Sequence, residues 1–265
     1  MSEDRSSHDV GTAASEALAS ITRSLELLWQ GRPQPTKGPK PTLELSQIVD
    51  AAIAVADAEG LDAMSMRRIA QDLDVGTMTL YRYVPDKSVL LNLVLDRLLA
   101  RVEDEQPTDR SWREVLEADA RESRELYLRH PWVLQINWTR PVLGPNSFAG
   151  LERTMKGLQG LAFSDNEKVM AISAIDAYVT GSVRNQILYQ LAAEEGGLSD
   201  DEFWSAQAPA FDAAMTSGRF PVLATMGDNI FDGGWEETFE RGLSHLLDGI
   251  AADLTRRANT EDRTS

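Results

Sequence analysis

A short cluster of polar side chains in the first third of the chain has the chemistry needed to hold DNA. Hydroxyl, guanidinium and ammonium groups recur there at close spacing, at Thr77, Thr79, Tyr81, Arg82, Tyr83 and Lys87. Such groups hydrogen-bond phosphate oxygens and base edges, and threonine methyl groups can touch thymine. We assign Thr77, Thr79 and the nearby Arg67 to base edges. Tyr81, Tyr83 and Lys87 are assigned to phosphates, and Arg82 to either.

Two short helices joined by a tight turn would present this cluster. Ser65 is a good N-cap for the first helix, and the apolar residues that follow it recur at helical spacing. Residues 74–76 read Asp-Val-Gly, which is turn chemistry. The second helix has Met78, Leu80 and Val84 available to pack inward. Two helices joined in this way form the helix-turn-helix unit, whose second helix can lie in a DNA major groove.

A structural corner between two helices would show the same spacing. The polar surface of the second helix favours DNA binding, because a purely structural helix tends to carry Glu and Lys outward. A basic Pro/Gly arm, residues 31–41, precedes the motif and holds Arg32, Lys37 and Lys40 without an acidic residue. Any Pro-rich linker can hold a few cations, but we expect Lys37 and Lys40 to follow phosphates or enter the minor groove.

Residues 46–95 resemble the DNA-binding domain of the tetracycline-repressor (TetR) family of bacterial transcription regulators. The motif pieces stand in order at residues 48–52, 59–61, 67–70, 75–84 and 86–91. The resemblance implies a homodimer with two DNA-binding heads, which would read a palindromic double-stranded operator. It also implies a variable helical body that binds a small-molecule effector. We expect a regulator, most often a repressor in this family, that the effector releases from DNA by shifting an equilibrium between two dimer states.

The acidic charge is unevenly distributed along the chain. The 265 residues carry a formal net charge of −16, yet residues 32–101 are neutral and most of the acid lies in residues 102–265. An acidic body would repel DNA and help to orient the head toward it. A solvated acidic surface is the plainer alternative.

Composition and motifs exclude several functional classes. The absence of cysteine excludes disulfides and thiolate metal sites, and no apolar run reaches membrane-spanning length. Without a nucleophile elbow, a phosphate-binding loop, a dinucleotide-binding glycine motif or His-Glu-x-x-His, we expect no enzyme and no cofactor. The rival function is a helical small-molecule-binding or scaffold protein that does not bind DNA. A bacterial cytoplasm is the simplest location.

Histidines do not indicate a metal site. Members of the resembled family that sense tetracycline use a magnesium ion and a histidine. Here only His8, His130 and His245 are present, and His130 stands just before Pro131, where a helix-end histidine is unremarkable. We therefore predict no metal.

Helical periodicity runs through the whole chain, and we predict an all-α fold. Residues 1–41 would hold a disordered tail, an extra helix over 12–30 and the basic arm. Residues 42–92 would form the helix-turn-helix domain, and residues 93–257 a larger helical ligand-binding and dimerisation domain. Residues 258–265 would be a tail. In the body, helices are predicted over 112–129, 148–161, 166–193, about 201–217, and 235–257.

Two sets of residues in the body are assigned to binding. Aromatic rings with a few amides and a guanidinium suit a ligand cavity, although they suit an ordinary core equally well. These are Trp132, Asn137, Trp138, Phe148, Met155, Tyr178, Arg184, Asn185 and Tyr189. The resemblance implies a four-helix dimer interface from two late helices of each copy, and their apolar stripes provide Val179, Val183, Ile187, Leu243, Leu247 and Ile250. A monomer could also bury one such stripe per helix.

Overall fold

The computed structural model describes residues 3–31, 43–100, 110–137, 141–227 and 233–262, with the side chains of 3–13, 261 and 262 left aside. Within these ranges the chain forms helices and no strand, so the all-α prediction is confirmed. Most of the basic arm, including Lys37 and Lys40, lies outside the described residues, as do residues 101–109 and Trp138.

Ten α-helices occur in the described ranges. They are α1 (Glu3–Gln30), α2 (Leu45–Glu59), α3 (Met66–Asp72), α4 (Thr77–Tyr81), α5 (Lys87–Leu98), α6 (Trp112–Arg129), α7 (Pro145–Gly157), α8 (Asp165–Gly196), α9 (Asp200–Thr216) and α10 (Trp235–Asp262). Short 3-10 turns cover Leu61–Ala63, Pro131–Gln135 and Leu223–Thr225.

Several helix boundaries differ from those predicted. The first helix begins at Glu3 instead of residue 12, and the last one continues to Asp262 instead of ending at 257, so both predicted tails are partly helical. The sequence pattern predicts Ser46 as the N-cap of the first helix of the head, but this helix begins at Leu45. Its N-cap is Glu44, whose side chain accepts from the helix start while Gln47 reaches back to complete a capping box.

Contacts divide the chain into two compact units. The first unit combines Met1–Val115 with Arg129–Gln159, and the second combines Leu116–Leu128 with Gly160–Ser265. The first unit therefore holds α1, the head and α7 together, which the predicted scheme places in three different domains. The predicted boundaries at 41, 92 and 257 stay predictions.

The head, α2 to α5, is built on a dense apolar core with capped helices. Its fully buried side chains include Ile48, Ala52, Met64, Ile69, Leu80, Val84, Val89 and Leu90. Ser65 caps α3 by accepting from the Arg68 amide at 3.2 Å, and Asp86 caps α5 by accepting from the Val89 amide at 2.8 Å. Both caps satisfy amides that the first helical turn leaves without a partner.

The second unit is held by close packing of α8 on α10. Val179 and Val183 of α8 are buried with Phe239, Leu243 and Leu247 of α10. The ring of Tyr178 stands where a side chain on Gly242 would have to be, so the glycine lets the two helices approach. Ion pairs from Arg121 to Glu240 (2.8 Å) and from Arg257 to Glu167 (2.6 Å) flank this contact.

Candidate nucleic-acid interface

The second helix of the motif, α4, has one packed side and one open side. Leu80 and the following Val84 are fully buried, while Tyr81 is 43% exposed and Arg82 is also open to solvent. Thr77 and Thr79 are half-buried at the edge of the open side. The predicted contact groups Thr77, Thr79, Tyr81 and Arg82 therefore share a solvent-facing surface.

Two residues of this segment lie on the side opposite to the one predicted. Met78 is 75% exposed, because two residues along an α-helix correspond to about 200° and Leu80 already occupies the inner side. Tyr83 is only 6% exposed. The chain leaves α4 through three-residue turns, with the Tyr83 amide donating to the Leu80 carbonyl at 2.8 Å. At three residues per turn, positions 80 and 83 fall on the same inner side.

The two adjacent arginines of α3 have different roles. Arg68 pairs with Glu59 at 2.7 Å and with Asp72 at 3.5 Å, and its hydrogen bond and charge contact with Glu59 raise its pKa. Arg67 is exposed and makes no ion pair with any residue that the structure describes. Its guanidinium is thus available to a partner from outside the chain. Arg68 instead ties α3 to α2.

The start of α5 adds a cation beside this surface. Lys87 is the first residue of α5, it is exposed, and its ammonium lies 3.4 Å from the Leu61 carbonyl. Among the described residues no carboxylate pairs with this ammonium, and a cation of this kind suits a phosphate contact. Of the described residues predicted to contact DNA, Tyr83 is buried and the others are exposed or half-buried.

The residues assigned to a ligand pocket are divided between the two units. Trp132 is 3% exposed and its indole N–H donates to Asp57 at 2.7 Å, so it belongs to the core of the first unit. Tyr178 donates to the Phe239 carbonyl at 2.8 Å and stacks on its ring, so it holds α8 to α10. Both side chains are held by packing contacts, and their assignment to a pocket stays a prediction.

The other pocket candidates stay predictions. Phe148 is 46% exposed and packs edge-on against Trp29; Met155 is half-buried. Asn137, Arg184 and Asn185 are exposed, and Tyr189 packs edge-on against Trp235. Asn137, Phe148 and Met155 belong to the first unit, and the remaining three described candidates belong to the second.

A polar pair in the second unit was missed by the sequence reasoning. Asp176 of α8 hydrogen-bonds Tyr127 of α6, and burial together with this carboxylate raises the pKa of Tyr127 to about 12. Burial also raises the pKa of Asp176. A signal existed in the sequence, because Asp176 is the only charged residue between Lys168 and Arg184.

The predicted dimer residues turn out to pack within one copy. Val179, Val183, Leu243 and Leu247 are each at most 1% exposed in the single chain, so no surface remains on them for a partner. Ile187 and Ile250 are half-buried, and Ile250 lines a groove of about 410 Å³ between α8 and α10. The apolar stripe that suggested a second copy is the one by which α8 holds α10 of its own chain.

The residues that the structure describes include no cluster of three or more His, Asp or Glu side chains able to hold a metal ion. None of the helices in the described ranges is both long and apolar enough to cross a membrane.

Family models identify both parts of the chain. Residues 48–94 match the model described as "Bacterial regulatory proteins, tetR family", and residues 105–254 match the one described as "Tetracyclin repressor-like, C-terminal domain". The chain belongs to the TetR family. Like other members, this TetR-family protein is a ligand-responsive, DNA-binding transcriptional regulator and not an enzyme.

Relatives of the regulator agree over most of its length. The HTH-type transcriptional repressor DrrR1 of Streptomyces coeruleorubidus is 44% identical over 248 residues, 93% of this chain and 92% of the relative. An HTH-type transcriptional regulator of Saccharopolyspora erythraea is 33% identical and covers 83% of this chain and 90% of its own length. The structure of Streptomyces coelicolor ActR in complex with actinorhodin aligns with a TM-score of 0.65 and 30% identity, covering 81% of this chain and 99% of ActR.

Proposed function

We propose that this TetR-family protein is a homodimeric repressor in the bacterial cytoplasm, which binds a palindromic operator and leaves it when a small molecule binds. The observation that carries the proposal is the open side of α4, where hydrogen-bonding side chains and Arg67 face solvent while the other side fills the core of the head. A relative named as a repressor at 44% identity supports the direction of the response.

In this proposal each exposed group has a distinct role. Arg67, Thr77 and Thr79 read base edges, Met78 touches a thymine methyl group, and Arg82 reaches a base or a phosphate. Tyr81 and Lys87 hold phosphates, and the arm with Lys37 and Lys40 extends this contact along the backbone. Tyr83 no longer belongs to the contact surface; its buried ring fixes the end of α4.

A salt-dependent binding measurement tests these roles. The operator would be selected by the wild-type protein from random duplex DNA, so that no genomic context is assumed. Arg67→Ala should lose about 1–3 kcal/mol of discrimination at one base pair, because a bidentate guanine contact carries sequence information. Lys87→Met should weaken binding to all sequences alike and reduce the salt slope by about one unit.

An arginine that is not assigned to DNA contact provides the matched control. Arg97 of α5 is exposed and paired with Asp50 at 3.1 Å, and Arg97→Ala should leave operator binding unchanged. Wild-type protein that selects no sequence, and whose binding to DNA is unaffected by Lys87→Met, would instead favour the helical ligand-binding or scaffold protein that does not bind DNA.

For the dimer we propose the outer side of α8 and α10 in place of their inner stripes. Small and apolar residues recur there at helical spacing and stay exposed in the single chain: Met170, Ala174, Ala177, Gly181 and Leu188 of α8, with Gly249 of α10. A side chain added at Gly181 or Gly249 would meet open space within one copy. Small exposed residues let a second pair of helices approach closely, as a two-fold dimer requires.

For the effector we propose a small organic molecule that is held in part by Asp176 and Tyr127 in the second unit. The ActR structure contains actinorhodin, which makes that compound a suitable first probe. Actinorhodin or a compound from a thermal-shift screen should raise the melting temperature and lower operator affinity together, and Asp176→Asn should reduce both effects. A compound that stabilises the protein but leaves operator affinity untouched is not an inducer.

A further inference from the structure

The first helix precedes both family-model matches. The family models begin at residue 48, and α1 ends at Gln30, before either match. Its described part nevertheless packs on the first unit, with Ser24 fully buried and Leu27 3% exposed. A helix outside both family-model matches that inserts buried side chains into the head has a role that the motif does not account for.

Polar contacts tie α1 to the helix that leaves the head. The Asn92 amide of α5 donates to the hydroxyl of Ser24 at 2.9 Å, and this hydroxyl donates to the Ser20 carbonyl at 2.8 Å. Ser20 in turn donates to Asp86, the N-cap of α5, at 3.3 Å. Because a buried polar pair is satisfied in only one register, these bonds fix where α5 lies along α1.

The other end of α1 reaches the start of α7. The Trp29 indole donates to the Leu143 carbonyl at 3.1 Å, and its ring packs edge-on against Phe148 at 5.7 Å. Leu143 stands one residue before Gly144, the N-cap of α7. α1 therefore contacts both α5 and the beginning of α7.

Hydrogen bonds also join α5 directly to α7, so that each of α1, α5 and α7 contacts the other two. Asp96 of α5 is 3% exposed and accepts from the amide and hydroxyl of Ser147, each at 3.0 Å, and from the Asn146 side chain at 3.0 Å. Its carboxylate caps the first turn of α7 from a neighbouring helix. α1, α5 and α7 thus form three mutually tied helices, and α5 is the next helix after α4 along the chain.

We propose that α1 is a brace that sets the pose of the DNA-binding head, with Ser24 and Trp29 as its positioning residues. The inference rests on the proposed operator binding. α5 is the next helix after α4 along the chain, so a change in the pose of α5 changes where α4 is presented. In a dimer that reads two half-sites about one helical turn apart, the pose of each head determines which spacing fits.

The experiment compares operators that differ only in the separation of their half-sites. The operator selected by the wild-type protein is shortened or lengthened by one base pair at its centre, and affinity is measured by fluorescence anisotropy. Ser24→Ala and Trp29→Ala should bind the optimal operator about five- to tenfold more weakly than wild type. Their affinity for the shortened and lengthened operators should fall by a smaller factor, so the spacing profile, which is affinity plotted against half-site separation, becomes flatter. Trp29→Phe, which keeps the ring contact without the N–H donor, should lie between wild type and Trp29→Ala.

Leu18→Ala is the matched control, because Leu18 is an apolar residue of α1 that is 65% exposed; it should keep the wild-type profile. A merely structural role for α1 would weaken binding in proportion at every spacing as the melting temperature falls, and that outcome overturns the brace. Unchanged profiles in Ser24→Ala and Trp29→Ala overturn it as well. If the wild-type protein itself selects no palindrome, the proposed operator binding fails, and the brace fails with it.

Discussion

α4 and α8 each pack one side against their own unit and leave the other side open, but the open sides differ in chemistry. The open side of α4 carries Thr79, Tyr81 and Arg82, whose groups form directional hydrogen bonds. The open side of α8 carries Ala174, Ala177 and Gly181, whose small side chains let another surface come close. The first suits phosphates and base edges, and the second suits a helix.

The two sides of a helix also indicate different binding partners. The inner stripe identifies the partner within the same chain, as Leu80 does in the head and Val179 does in the second unit. In the proposed function, the outer side of each helix binds the partner from outside the chain. A prediction that reads a partner copy from the inner stripe therefore selects the wrong residues even where the helices themselves are correctly identified.

The largest expected effect comes from blocking the outer side of α8. Gly181→Arg places a long charged side chain where a second copy has to approach, while its Cβ meets open space within one copy. The protein should become monomeric at micromolar concentration by static light scattering. Operator affinity should fall by about 100-fold or more, since the second head no longer binds as part of the same molecule.

A charge on the opposite side of α8 is the control for this variant. Gln190 is exposed and lies about 180° around the helix from Gly181, and Gln190→Arg should keep both the dimer and operator affinity. A dimer that persists in Gly181→Arg would show that the open side of α8 is not the interface.

The two sides of α4 should respond in opposite ways to truncation. Leu80→Ala should destabilise the protein by about 2–5 kcal/mol, because Leu80 is fully buried in the head. Met78→Ala should change stability by less than about 0.5 kcal/mol, because Met78 is 75% exposed. It should instead reduce operator affinity severalfold. Urea unfolding and anisotropy titration of the two variants test this contrast.

A third contrast compares two glycines of α10. Gly242→Val should destabilise the second unit by about 1–3 kcal/mol, because the added side chain overlaps the ring of Tyr178. Gly249→Val should cost little, because nothing lies within 4 Å of the added Cβ. Urea unfolding in the monomeric Gly181→Arg background keeps dimer dissociation out of the comparison. Equal losses in the two variants would mean that α10 has no distinct inner and outer side.

Much of the head could be predicted from the sequence because its signals are local. Ser65 caps α3 as expected, since a cap depends on a few neighbouring residues. The errors at Met78 and Tyr83 arise where α4 is only five residues long and gives way to three-residue turns. The positions of apolar residues in the sequence do not show where the backbone changes from 3.6 to three residues per turn.

The second unit was less predictable because burial by the same chain and burial by a partner leave the same pattern. Val183 and Leu247 carry the stripe of an interface, yet they contact the core of one copy. The brace was not predictable at all, because Ser24 and Asn92 are 68 positions apart and neither belongs to a motif. The resemblance at residues 46–95 does not extend to α1 and gives no account of its contacts.

The smallest expected effect concerns an ion pair that spans α8 and α10. Hydrogen bonds from Arg257 and Ser164 lower the pKa of Glu167 to about 2, from an ordinary value of 4.5. Because the folded-state pKa is the lower one, the pair stabilises the protein fully above pH 4.5 and loses this contribution as the pH falls toward 2. The stability difference between wild type and Glu167→Gln should therefore be constant from pH 6 to about 5 and should shrink below it.

A double-mutant cycle with Arg257→Gln separates the ion pair from the capping contact with Ser164. If the pair joins the two helices, the pH-dependent part of the Glu167→Gln effect should be smaller when Arg257 is already absent. A pH dependence that is equally large in both backgrounds would assign it to the N-cap of α8 alone, and the contact between α8 and α10 would then rest on the packing of Tyr178 against Gly242.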